Sequence, residues 1–374
     1  MKKLFAKDGR AVLVEVDEPA LRPGEVLIEP AFSAISSGTE MSTVRMSADP
    51  VMIHSHDYPA PDGRIFGPKL RASGARWNGP EPRGGIPGHA LIGYSLAGRV
   101  VAVGDDIVDL RPGDRVAASG SQAAHHAERV AVARNLVSPV PDGVPLQDAA
   151  FVTLGTISMH ALRLTEATFG GTVVCYGLGL LGLLSLQIAR SAGIYAVGVD
   201  VDARRLEMAR AWGAVRAVDP RSGDAVTAVN EVTDGFGADG VILGVVAQSD
   251  EPLNHAFEMC RQRATVVGLG AFGTRITRDA MVWNDVRLVM ALAYGPGRYD
   301  RVYEEGNVDY PIGFARWTEG RNQAHFLRLL AEKRVEVAPL APIHVPFTQA
   351  PEAYDILAGP DRPPTVVFDY ARGD

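Results

Sequence analysis

The sequence predicts an α/β fold, a doubly wound parallel sheet inserted into a mostly β domain. Three features predict it. The chain has 374 residues, more than one hydrophobic core usually serves, so two domains are expected. Its first third alternates apolar and polar residues at period two, the pattern of half-buried antiparallel strands. From about Ala149 short apolar runs alternate with helical stretches, which indicates βαβ units and a parallel sheet covered on both faces.

The elements follow in order. AVLVEVDEP and EVLIEPAFSA read as strands, with turns at Pro23-Gly24 and Pro112-Gly113. AGRVVAVGDDIVDLRPGDRVAAS reads as strand, Gly-Asp turn, connection, turn and strand. Between them, Met41 to Gly88 is rich in Pro, Gly and His and lacks periodicity; so long a loop in a compact domain is usually functional. TVVCYG, AVGVD, AVDP, GADGVILGVV and ATVVGLG then read as strands, separated by helical LLGLLSLQIARSAG, ARRLEMARAWGA and LNHAFEMCRQR. The tail offers a helix at AHFLRLLAEKRV and a last strand at PTVVFDY. The expected layout is residues 1–150, a nucleotide-binding insertion over 151–294, and a return to the first domain over 295–374.

Composition excludes several function classes. With 37 basic and 44 acidic side chains the formal net charge is -7, and without a basic run no nucleic-acid face is expected. Cys175 and Cys260 are the two cysteines, which rules out a disulfide-stapled scaffold and a four-cysteine zinc site. The N-terminal lysines are not followed by an uninterrupted apolar stretch, so no signal peptide is read. The window Thr172 to Ile188 has the length of a short membrane span, but its glycines and flanks read as a buried strand and helix. A reduced, cytoplasmic chain without membrane contact is the expectation.

Strand TVVCY runs into Gly177-Leu178-Gly179-Leu180-Leu181-Gly182 and then a helix. In this G-x-G-x-x-G, Gly177 allows the tight turn, Gly179 lets backbone approach a pyrophosphate, and Gly182 packs helix on strand. The next strand ends at Asp200, 18 residues beyond Gly182, where a carboxylate accepts from the adenosine ribose and repels a 2′-phosphate. NAD is therefore expected rather than NADP. Arg204 and Arg205 follow and could flank adenine or ribose. Gly268 and Gly270 close a later strand, either as an approach to the nicotinamide half or as an ordinary turn.

Over nearly its whole length the chain resembles the medium-chain dehydrogenase/reductase superfamily. The resemblance rests on SSGTE at Ser36 to Glu40, PGHALIGYSLAGRVVAVG at Pro87 to Gly104, RPGDRVA at Arg111 to Ala117, and the glycine motif. It implies a Rossmann domain joined to a GroES-like catalytic domain, and a homodimer formed through the edge strand of the cofactor sheet. In zinc relatives the first segment reads C-G-T-D, and its cysteine binds the catalytic metal. Ser37 stands there, Ala90 replaces the glutamate of G-H-E, and the third ligand position falls near Thr153. Of those ligands only His89 survives, and one imidazole cannot hold a catalytic zinc, so a zinc-independent member is expected. AYGPGRYDRVYEEGNVDYPIGFARWTEGRNQAHFLRLLAEKRVEV further resembles a zinc-less group linked to sugar, polysaccharide or secondary metabolism.

Without zinc, alcohol oxidation needs a side-chain acid/base and donors that hold the oxygen. The family's relay hydroxyl maps to Thr39 and its orienting carboxylate to Glu40. Glu40 and His89 are expected to pair, with His89, or Glu40 through Thr39, as acid/base; the alternative is that their hydrogen bond only supports the fold. His54, His56 and Tyr58 lie in the irregular segment that borders the family's substrate cleft. Tyr94 could offer a phenol to substrate or pack. Tyr294, Arg298 and Tyr299 suit a polyhydroxylated or anionic substrate, or else hold a loop that joins the domains; Arg316 and Trp317 have a weaker claim. His125, His126 and His160 read as structural, and both cysteines as buried thiols.

The resulting expectation is an NAD-dependent dehydrogenase acting on a secondary alcohol of a sugar, cyclitol or related small molecule. A reductase of an activated C=C or C=N bond, or a silent NAD-binding scaffold, are the alternatives.

Overall fold

The computed structural model describes residues 1–48, 84–121 and 123–371, which form two compact units. One comprises Met1–Thr153, Pro296–Ala331 and Val337–Asp374; the other comprises Leu154–Gly295 and Glu332–Glu336.

The first unit begins with β1 (Lys2–Lys7), β2 (Arg10–Glu15) and β3 (Glu25–Ala34), followed by a helix over Ser37–Met46. Then come β4 (Ala90–Leu91), β5 (Ser95–Val103), β6 (Arg115–Ser119), β7 (Val130–Ala133) and β8 (Val137–Pro139). The period-two segments thus fold as strands; along β3, Val26, Ile28 and Pro30 are buried while Leu27, Glu29 and Ala31 between them are more exposed. The stretch read as irregular from Met41 starts differently. It is helical to Met46, because Glu40, Met41 and Val44 lie on one buried face and the two apolar residues join a core with Ile35, Tyr354 and Phe368.

The second unit carries β9 (Thr172–Tyr176), β10 (Tyr195–Val199), β11 (Arg216–Val218), β12 (Ala238–Leu243), β13 (Cys260–Gly268) and β14 (Arg287–Met290). They form a six-stranded sheet in the order β11-β10-β9-β12-β13-β14, parallel throughout. Counted from β9 this is 3-2-1-4-5-6, the doubly wound dinucleotide-binding order. Helices over Leu180–Ser191, Ala203–Ala211, Ala225–Val232 and Glu251–Glu258 connect successive strands. Val174, Val197, Val241 and Val266 are without solvent exposure, which explains the continuous apolar runs. Cys260 opens β13 instead of ending a helix, because its backbone pairs with Ala238 of β12.

The chain returns to the first unit with a helix over Glu319–Ala331, then β15 (His344–Pro346), a helix over Ala350–Ala358 and β16 (Val367–Asp369). β16 lies antiparallel to β3, with Val367 opposite Ala34 and Phe368 opposite Ser33. The larger sheet of this unit runs β15-β16-β3-β5-β6-β8, with β7 also on β3, and a second sheet runs β2-β1-β4. This is the Rossmann-plus-GroES-like architecture. Among the described residues no helix is long and apolar enough to cross a membrane; the most apolar window divides into β9 and the helix after it.

Candidate functional site

The strand order of the parallel sheet reverses at β9, which pairs with β10 on one side and β12 on the other. Open α/β sheets bind ligands in the crevice at the carboxyl ends of the strands where this occurs. The three glycines that follow β9 each meet a different requirement. Gly177 has φ of +95°, a conformation that side chains other than hydrogen rarely adopt. A Cβ on Gly179 would have nothing within 4 Å, whereas one on Gly182 would sit 1.9 Å from the Gly177 carbonyl oxygen. One glycine turns the chain, one leaves open space beside the backbone, and one brings helix against turn.

The helix over Leu180–Ser191 starts at this point, with Gly179 as its N-cap and no side-chain cap. Its first amides lack intrahelical partners and sit at the positive end of the helix dipole, a suitable seat for phosphate. The side chains of Leu178 and Leu180 are buried, and Leu181 is half-buried with its carbonyl accepting from Ser158 Oγ. These leucines therefore anchor the loop through their side chains and serve a ligand only through backbone.

Asp200, just after β10, is 7 % exposed. Its Oδ2 accepts the Leu178 N–H at 2.6 Å and its Oδ1 the Asp202 N–H at 2.8 Å. Arg205 reaches the same carboxylate at 3.6 Å. Asp200 thus ties the glycine loop to the end of the neighbouring strand. At the later glycines packing alone demands the residue type. A Cβ on Gly268 would lie 2.5 Å from Met290 Sδ, and one on Gly270 would lie 1.9 Å from the Val245 carbonyl oxygen.

The residues expected to serve catalysis lie in the other unit, and here the expected pairing of Glu40 with His89 is corrected. Glu40 Oε2 accepts from His126 Nε2 at 2.9 Å and from the Tyr354 hydroxyl at 2.7 Å, while Oε1 accepts the Ser36 N–H at 2.7 Å. His126, read from sequence as structural, is the histidine that faces the carboxylate, because the turn after β6 brings it beneath the helix that carries Glu40. Burial, then the Glu40 charge, hold the Tyr354 phenol well above its ordinary pKa, so it stays a donor.

His89 instead places Nδ1 3.1 Å from the Pro87 carbonyl and its ring edge-on to Phe5, centroids 5.7 Å apart. A carbonyl only accepts, so Nδ1 carries the hydrogen, and in the neutral ring Nε2 keeps a lone pair. Thr39 is exposed on the first turn of its helix, and its Oγ1 lies 3.5 Å from the Tyr94 hydroxyl.

The positions that hold zinc in metal-dependent relatives are engaged otherwise. Ser37 donates its hydroxyl to the Pro364 carbonyl at 2.8 Å. Thr153 is buried, with its Oγ1 2.8 Å from the Tyr94 carbonyl and 2.7 Å from Ser119 Oγ. Neither hydroxyl is a suitable zinc ligand, and among the described residues no three His, Cys, Asp or Glu side chains gather as a metal group.

Arg298 does not project as an open substrate contact. Its side chain is 1 % exposed and ion-paired to Glu304, with Ser121 Oγ at 2.6 Å and its guanidinium stacked on Tyr299. A buried guanidinium needs such a partner, and this pair holds the loop after Gly295. Tyr294 is likewise buried, while Arg316 stacks on Trp317. His54, His56 and Tyr58 lie outside the described residues. Both cysteines are buried, and burial pushes each thiol up to about 12.

Sequence reasoning missed His126, Tyr354, Ser33 and Tyr370 as parts of one network. The available signal was the His125-His126 doublet after an apolar strand, which does not distinguish the two. His125 is also buried, and its Nε2 is 2.8 Å from the Ser121 carbonyl.

Residues 181–305 match the profile of the zinc-binding dehydrogenases. D-guloside 3-dehydrogenase of Escherichia coli (strain K12) is 28 % identical over 364 residues, covering 95 % of each chain. (R,R)-butanediol dehydrogenase of Neisseria gonorrhoeae is 23 % identical over 337 residues, 82 % of this chain and 88 % of the other. Among solved structures, galactitol-1-phosphate dehydrogenase from Escherichia coli superimposes with a TM-score of 0.75 at 18 % identity, over 99 % of this chain and 100 % of that one. The fold is that of the medium-chain dehydrogenase/reductases.

Proposed function

We propose that the chain is an NAD-dependent, zinc-independent dehydrogenase that oxidises a secondary alcohol of a sugar, cyclitol or related polyhydroxylated small molecule to a ketone. The observation that carries this reading is the glycine cradle, in which Gly179 leaves space beside free helix N-terminal amides and Asp200 closes the adjacent strand. These residues fit a dinucleotide, which when bound supplies the hydride acceptor. An anionic Asp200 favours an unmodified ribose over a 2′-phosphate. Relatives that are dehydrogenases of a guloside and of butanediol support a secondary alcohol as substrate.

On the catalytic side, Nε2 of His89 takes the hydroxyl proton, since the Nδ1 bond to Pro87 leaves that nitrogen as the acceptor. The hydroxyls of Thr39 and Tyr94 hold the reacting oxygen. Glu40 is buried behind them and orients instead of exchanging protons with substrate. The donor set at Ser37, His89 and Thr153 does not fit a catalytic zinc, so no step is assigned to a metal.

A homodimer belongs to the same proposal. β14 forms an edge of the six-stranded sheet, and Trp283, Met290 and Leu292 nearby are 78 %, 57 % and 61 % exposed. Apolar side chains beside an open edge strand suit pairing with a second copy.

The test is NAD reduction with a panel of sugars, glycosides and cyclitols. NADH formation with a secondary-alcohol substrate, lost in His89→Ala, is the expected result. Consumption of NADH by enones or imines would favour a reductase instead, and NAD binding without any turnover a silent scaffold.

A further inference from the structure

The Glu40 network extends further than a carboxylate with three donors. Beyond Glu40, His126 Nδ1 lies 2.7 Å from Ser33 Oγ, which lies 2.9 Å from the Tyr370 hydroxyl. The ring is held from the sides as well. It packs edge-on to Phe368 at 4.8 Å between centroids, and a Cβ on Gly93 would come within 2.7 Å of the ring. His126 and Ser33 have no solvent exposure, and Glu40 has 2 %.

The hydrogens in this chain follow from what each group can do. Glu40 is placed as acceptor for three donors, so His126 Nε2 carries its hydrogen toward the carboxylate. With the His126 ring neutral, Ser33 then donates to Nδ1, Tyr370 donates to Ser33, and the Tyr370 oxygen accepts the Ala127 N–H. One arrangement satisfies every member, as a buried network requires. Its members come from β3, the turn after β6, two helices and the residue following β16.

The output of this network is a short exposed turn. Ser36 is the N-cap of the helix over Ser37–Met46, yet its side chain makes no cap bond. Glu40, one turn into the helix, accepts the Ser36 N–H instead. The carboxylate thereby closes a loop around Ser37, Gly38 and Thr39, the last two of which are exposed. A network serving only the core could be replaced by apolar side chains at little cost. This one fixes the first turn, where Thr39 approaches Tyr94.

We propose that His126 is a positioning residue: it fixes the Glu40 carboxylate and, through it, the turn that presents Thr39. The proposal rests on the role given to Thr39 above, and its test separates the two. The variants are His126→Ala, His126→Gln, which retains an N–H donor for Glu40, and Glu40→Gln, each examined for turnover, NAD affinity and amide hydrogen exchange.

In His126→Ala, kcat is expected to fall by about 100-fold, the scale of a misplaced reacting group, with NAD affinity unchanged because the cradle lies in the other unit. Glu40→Gln should fall similarly and the double variant no further than the worse single one, since the two act as a unit. His126→Gln should recover most of the loss. Independently of turnover, exchange at Ser36 to Glu40 should quicken at least about tenfold in His126→Ala, whereas the helix over Leu180–Ser191 should not change.

A lowered melting temperature with kcat and exchange at Ser36 to Glu40 unaltered would reduce His126 to a structural residue and overturn the proposal. If the wild-type protein oxidises no alcohol, the reaction assignment fails while the exchange measurement still decides the positioning claim. Should His126→Ala not fold, His126→Gln and Glu40→Gln carry the same comparison.

Discussion

A Cβ on Gly182 would lie 1.9 Å from the carbonyl oxygen of Gly177, whereas a Cβ on Gly179 would touch nothing within 4 Å. The two glycines should therefore fail differently. Gly182→Ala forces helix and turn apart and is expected to cost about 2–3 kcal/mol of stability. Gly179→Ala should leave the melting temperature nearly unchanged while weakening NAD binding about tenfold or more. Denaturation midpoints and NAD titration of both variants check this contrast.

Asp200 has a double task, and its removal should show both. In Asp200→Ala the Leu178 and Asp202 amides lose their acceptor, at about 1–3 kcal/mol for buried donors left unsatisfied. Arg205, left with Asp202 as its carboxylate partner, becomes more available to a 2′-phosphate. The expected outcome is a less stable protein whose preference moves from NAD toward NADP, read as the ratio of the two affinities.

His160 makes acid stability a sensitive readout of burial. Burial, and then the charge of Arg163, lower its pKa from 6.5 to about 4. Between those values the unfolded chain binds a proton that the folded one does not, so stability falls as pH drops from about 6.5 to about 4. The contribution is on the order of 1–3 kcal/mol. His160→Gln should flatten that part of the profile, measured as urea midpoints across the same pH range.

The open edge of the parallel sheet predicts the behaviour of surface variants. Met290→Glu places a charge at the end of β14, where a second copy is proposed to pair. Sedimentation should find a dimer for the wild-type chain and a monomer for this variant, with the circular dichroism of the monomer unchanged. A wild-type monomer at micromolar concentration would contradict the dimer.

The parallel domain was nearly all legible in the sequence, because strands buried on both faces must be continuous apolar runs and the phosphate turn must contain glycine. Its boundaries shifted where pairing overrode helical pattern, as at Cys260, which joins β12 through Ala238. The catalytic side was less legible. Glu40 was singled out as an orienting carboxylate, but the histidine it meets, His126 and not His89, is set by which loop lies against it. His89 and His126 are equivalent by residue type, and only tertiary placement separates them. Arg298 was ambiguous for the same reason: a guanidinium suits a ligand or a buried carboxylate equally, and Glu304 lies near in sequence without a spacing that announces the pair.

The central claim is that hydride transfer to NAD proceeds here without a catalytic zinc, and it is tested most directly by measuring zinc in the active protein. Elemental analysis of the purified protein should find zinc far below one per chain, and NADH formation from a secondary-alcohol substrate should continue after treatment with a strong chelator. Zinc bound at one per chain, with activity lost on its removal and restored on its return, would contradict the account.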